Sequence, residues 1–114
     1  MRLNWSRARG EISTRDDGEQ EKVPKKVSGR STGNWIVHKT YGDHPVQQAW
    51  TITHRPSGLW FAKLSTQQEC VDLVEHLSRK VFGFSHYGIE RIQSRKEHIQ
   101  EIMYTWIEKN KLGD

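Results

Sequence analysis

The chain has 114 residues, 33% of them hydrophobic and 28% charged, with a net charge of +4, a mean hydropathy of −0.87 and a pI near 9.4. That length suits one small domain, and no run of about 18 apolar residues offers a transmembrane helix. A single cysteine, Cys70, excludes an internal disulfide and suits a reducing compartment. With no apolar stretch after Arg2 to read as a secretory signal, a cytoplasmic location is expected.

Residues 1–33, "MRLNWSRARGEISTRDDGEQEKVPKKVSGRSTG", carry eight Lys/Arg against five Asp/Glu, whereas residues 34–114 carry ten against nine. The basic surplus is therefore mostly a property of this first segment. Its mixed charge and lack of apolar periodicity predict a flexible tail, because too little surface can be buried to offset the entropy of ordering. Within it, Arg7, Arg9, Lys25, Lys26 and Arg30 are candidate contacts to a polyanion. Trp5 is either an incidental exposed residue or a short docking element, for a partner or for the protein's own domain.

From residue 34 onwards a domain is expected. "NWIVHKTY" (34–41) reads as a first strand, and Gly42, Asp43 and Pro45 supply turn chemistry. "QAWTITH" (48–54) and "LWFAKL" (59–64) follow as strands two and three. Pro56-Ser57-Gly58 fits a three-residue hairpin loop, with glycine where positive φ is required. That loop pairs His54 with Trp60, Ile52 with Ala62, and Trp50 with Leu64. One face then gathers Trp50, Ile52, Trp60, Ala62 and Leu64 as core, and the other gathers Thr51, Thr53, Arg55, Leu59, Phe61 and Lys63. A two- or four-residue loop would set Trp60 beside Thr53 instead.

"STQQECVDLVEHLSRKVFG" begins with a capping box, Thr66 with Glu69. Cys70, Leu73, Val74, Leu77 and Val81 form one apolar helical stripe, and Gly83 ends it. Cys70 in that stripe reads as a buried small hydrophobe. Ser94 with Glu97 offers a second capping box, followed by a stripe of Ile99, Ile102, Met103, Trp106 and Ile107. Residues 86–93 fit helix or short strand equally. The expected fold is α+β: a three-stranded antiparallel sheet, an amphipathic helix across one face, and a C-terminal helix.

No nucleotide-binding loop, nucleophile elbow or metalloprotease pattern occurs. The histidines and Cys70 match no zinc-ligand spacing, and no cofactor or metal is expected. The outer sheet face remains. Thr51, Thr53 and Lys63 can donate to phosphates or base edges, Arg55 can reach guanine or phosphate, Phe61 can stack, and Lys39 joins them from the first strand. "GLWFAKLSTQQECVDLVEHL", a last strand with an aromatic, then Thr-x-x-Glu, then an amphipathic helix, resembles the pattern of plant ethylene-response-type DNA-binding domains and the arm-binding domains of phage integrases. That resemblance in arrangement implies a sheet read into the major groove of DNA. The reading is a non-enzymatic binding protein for nucleic acid. A protein-interaction module is the competing reading, in which Ile99, Met103 and Trp106 either close the domain or pair it with a second copy.

Overall fold

Alternation in "WIVHK" builds a strand, as expected, but it is the third of five. The computed structural model describes residues 3–14, 23–40 and 44–110, with residues 8–14 and 23–27 described by backbone alone. In chain order the elements are β1 (Ser6–Thr14), β2 (Val23–Thr32), β3 (Trp35–Lys39), β4 (Trp50–His54), β5 (Leu59–Leu64), α1 (Gln67–Lys80) and α2 (Ile89–Asn110). The sheet is an antiparallel meander in the order β1-β2-β3-β4-β5. The α+β class holds, but three strands become five. The two extra strands lie in the segment expected to be tail, joined to β3 by a tight Gly33-Asn34 turn between the paired residues Thr32 and Trp35.

The β4–β5 hairpin corrects the expected register. Gly58 takes φ 73° as expected, but its amide reaches back to the His54 carbonyl at 2.8 Å. The loop is thus four residues long. His54 pairs with Leu59 and Thr53 with Trp60, yet Ile52 still pairs with Ala62 and Trp50 with Leu64. The difference is absorbed by a bulge between Ile52 and Thr53, which leaves Phe61 as the extra residue on β5. The consequence is an exchange of neighbours. Phe61 enters the core at 7% exposure and Trp60, expected there, is 43% exposed.

Trp35 is the hub of the core. Its indole stacks on Phe84 at 4.4 Å, meets Phe61 edge-on at 4.9 Å and donates from Nε1 to the Phe84 carbonyl at 2.8 Å. α1 covers this face of the sheet. Thr66 caps it through the expected capping box with Glu69, and Cys70, Leu73, Val74, Leu77 and Val81 are all buried. α2 begins at Ile89, so residues 89–93 are helix and Ser94 lies inside it, donating to the Arg91 carbonyl. The second capping box does not form. Between the helices, Asn34 Nδ2 and His54 Nε2 both donate to the Tyr87 carbonyl, at 2.9 and 2.6 Å. These bonds tie the interhelical connector to the sheet.

The side of the sheet away from the helices is closed too. Ile36, His38, Thr51 and Thr53 alternate onto it and are all buried. The His38 Nδ1–H donates to the Lys39 carbonyl at 2.8 Å, which leaves Nε2 to accept from the Thr53 hydroxyl at 2.7 Å. Thr40 and Thr51 hydroxyls meet at 2.7 Å. Gly29 lies on the β2 edge facing β3, where an added Cβ would come within 1.9 Å of the Val37 carbonyl oxygen. Only glycine permits that approach.

Candidate nucleic-acid interface

Burial divides the residues expected to form a binding plate. Thr51 and Thr53, at 4% and 1% exposure, are engaged in the closed layer around His38, and Phe61 is core. None of the three can touch a ligand in this fold. The physical reasons are the hydrogen bonds that tie both threonines into the buried layer with His38 and Thr40 and the bulge that turns Phe61 inward. Arg55 is exposed in the β4–β5 loop and Lys39 is exposed at the end of β3. Lys39 pairs with Trp50 at the start of β4, so the two cations lie at opposite ends of a five-residue strand, roughly 17 Å apart. Lys63 is half-buried, with its ammonium 4.6 Å from the Trp60 ring centre. The plate is not assembled.

The first hairpin assembles something else. Its register pairs Arg7 with Arg30, Arg9 with Ser28, and Glu11 with Lys26. Residues opposite one another share a face, and residues two apart on a strand do so as well. Arg7, Arg9, Lys26 and Arg30 therefore fall on one face of the ribbon with Glu11, on the side of the sheet shared by Val37 and Trp35, where Arg30 borders a groove that also holds Asp72 and Glu75 of α1. Lys25, opposite Ile12, belongs to the other face. On that other face the same register places Ala8, Ile12, Val23 and Val27, on the side of the sheet shared by Ile36 and His38. Of the basic face, Arg7 and Arg30 have described side chains, and both are exposed.

Trp5 anchors the entry to this hairpin. It is half-buried against the core cluster and borders a groove of about 620 Å³ with Arg30, Arg79 and Trp106. Its Nε1 is buried and has no hydrogen-bond partner among the described residues. It docks on the protein's own domain. The expected dimer stripe is used internally as well: Ile99 and Met103 are fully buried and Trp106 half-buried. This helix face closes the domain.

No group of His, Cys, Asp and Glu suited to a metal ion occurs among the described residues. Burial pushes the Cys70 thiol up to about 12, so it carries no thiolate near neutral pH. His38 is held below the usual histidine value by burial, with the charge of Lys63 adding to the effect. No helix among the described residues is long and apolar enough to cross a membrane. Comparison with protein-family models, with curated proteins and with solved structures finds no match.

Proposed function

We propose that this chain is a non-enzymatic nucleic-acid-binding protein that engages duplex DNA with the basic face of its β1–β2 hairpin. The observation that carries the reading is the direct cross-strand pairing of two exposed arginines, Arg7 and Arg30, flanked by Arg9 and Lys26 on the same face. Like charges opposite one another on a sheet destabilise it, by roughly 0.2–1 kcal/mol per pair. A polyanion lying along the ribbon turns that repulsion into attraction. Among the described residues β2 pairs with β3 from Gly29 to Thr32, so the Arg7–Arg30 pair lies where the sheet is three strands wide and residues 23–28, with Lys26, continue as a two-stranded ribbon with β1. A ribbon of this width fits the major groove, and guanidinium pairs suit both phosphates and guanine edges. The exposed Arg55 and Lys39 supply further phosphate contacts at the margins.

The chemistry of the interior supports the non-enzymatic part. The sole thiol is buried and protonated, and the buried imidazoles of His38 and His54 are committed to backbone carbonyls and hydroxyls. Nothing among these groups is poised to take or give a proton to a substrate.

Salt dependence of binding to a labelled 24-base-pair duplex tests the reading. Each phosphate neutralised contributes about −0.9 to the slope of log K against log salt. The double variant Arg7→Ala/Arg30→Ala should lower the magnitude of that slope by about 1.8 while leaving the thermal unfolding midpoint unchanged or raised. No binding at about 10 µM in low salt, where even non-specific binders register, refutes the proposal. An unchanged slope in the double variant refutes the assignment of the surface.

A further inference from the structure

A second concave site lies on the helical layer, and nothing in the hairpin reading uses it. Between α1 and α2 there is a groove of about 530 Å³, within the size range of small-molecule sites. It is lined by the half-buried Ile102, Trp106 and His76 and by the exposed His98, Lys80 of α1 and Lys109 of α2. Glu101, exposed, is the one carboxylate among the lining residues. The His76 and Trp106 rings lie 6.0 Å apart and tilted by only 32°, so a flat ring entering the groove finds aromatic surface.

The charge around the groove is lopsided. Burial holds the His76 imidazole below its ordinary value, and the positive charges of Arg79, Lys80 and Lys109 hold it lower still. An apolar, aromatic lining with two ammonium groups matches a ligand that is itself flat and apolar at one end and anionic at the other. A neutral aromatic would leave the ammonium groups unmatched, and a small inorganic anion would leave the apolar lining wet. A second protein would need a much larger area than this groove offers, roughly 800 Å² from each partner.

We infer that the groove between α1 and α2 is a binding site for a small planar aromatic anion, a carboxylate, sulfonate or phosphate. The ring lies on Ile102 and Trp106 and the anionic group is held between Lys80 and Lys109. Trp106 also borders the neighbouring groove of Trp5 and Arg30, but no residue of the hairpin's basic face lines this one, so either reading can fail without the other.

The probe is 1-anilinonaphthalene-8-sulfonate, titrated into the full chain and followed by its fluorescence and by amide and imidazole NMR shifts. The uncharged N-phenyl-1-naphthylamine and inorganic sulfate serve as the two half-ligands. Saturable one-to-one binding is expected, with shifts centred on His76, His98, Ile102 and Trp106 and a rise in the His76 pKa on saturation. Lys80→Ala/Lys109→Ala, both exposed positions, should weaken binding at least tenfold with no change in the unfolding midpoint, and each half-ligand should bind at least tenfold more weakly than the sulfonate. Arg7→Ala/Arg30→Ala should bind the probe as the parent does. Binding that is absent at 1 mM, equal for the uncharged analogue, insensitive to the double lysine variant, or mapped to exposed aromatics such as Trp60 and Phe82 overturns the inference.

Discussion

Exchanging the roles of Trp60 and Phe61 is the structural statement most open to a direct energetic test. Phe61 is 7% exposed and meets the Trp35 ring edge-on. Truncating such a residue to alanine costs about 4 kcal/mol, from lost transfer energy and the cavity left behind, including about 1 kcal/mol for the aromatic pair. Trp60 is 43% exposed, so roughly half of its ~200 Å² is withdrawn from water. At about 25 cal/mol per Å², trimmed by about a quarter for a compact unfolded chain, that is about 2 kcal/mol. Trp60→Thr, which keeps a β-branched residue on the strand, should therefore cost about half as much as Phe61→Ala. Urea unfolding reads the difference: with m of about 2 kcal/mol/M, the two midpoints should differ by about 1 M, Phe61→Ala being the lower. The unbulged register, with Trp60 in the core and Phe61 outside, predicts the reverse order. Finding Trp60→Thr the more damaging variant would refute the bulge and the inward turn of Phe61.

Three further outcomes follow from the closed outward layer and the core. His38 is buried neutral and its folded pKa lies below the unfolded value of about 6.5, so the unfolded chain binds the proton first; stability is fully present above that pH and falls as pH drops below it. Thermal midpoints between pH 8 and 5 should show that fall, and His38→Gln should flatten it; an equal fall in the variant would show that other groups cause it. Gly29→Ala should destabilise the fold by several kcal/mol or abolish pairing of β2 with β3, read by amide hydrogen exchange in β3, because a Cβ there collides with the Val37 carbonyl; a neutral result would place Gly29 away from that contact. Cys70, fully buried with its thiol pushed up to about 12, should resist a thiol reagent at pH 8 in the native state and react promptly in denaturant; rapid native labelling would contradict its place in the core.

Much of the domain from residue 34 onwards was legible because its signals are local. Thr66 with Glu69, the stripe from Cys70 to Val81, and Gly58 at positive φ each announce one element, and each is found in place. What was not legible depends on pairing. Alternation has a period of two and cannot count an inserted residue, so it places Trp60 inside and Phe61 outside, the reverse of what the bulge produces. β1 and β2 have too few apolar residues to show a stripe. A signal was present in the Gly33-Asn34 turn and in the even spacing of Val23 and Val27, which puts both on one strand face. The α2 start at Ile89 went unplaced because "GIERIQ" suits both periods, and Ser94 with Glu97 imitates a cap inside a helix already under way. The binding plate failed for a related reason. A face of threonines and a histidine looks solvent-exposed in sequence, but here those groups satisfy one another in a closed polar layer.

The central proposal is that DNA would meet the basic face of the first hairpin and not the layer of Thr51 and Thr53. Titrating a 16-base-pair duplex into isotope-labelled protein and following the backbone and arginine side-chain NMR signals tests it at residue level. The account predicts the largest shifts at Arg7, Arg9, Lys26 and Arg30, with Thr51, Thr53 and Phe61 undisturbed. Shifts centred on Thr51, Thr53 and Lys63, with the hairpin arginines unmoved, would contradict it.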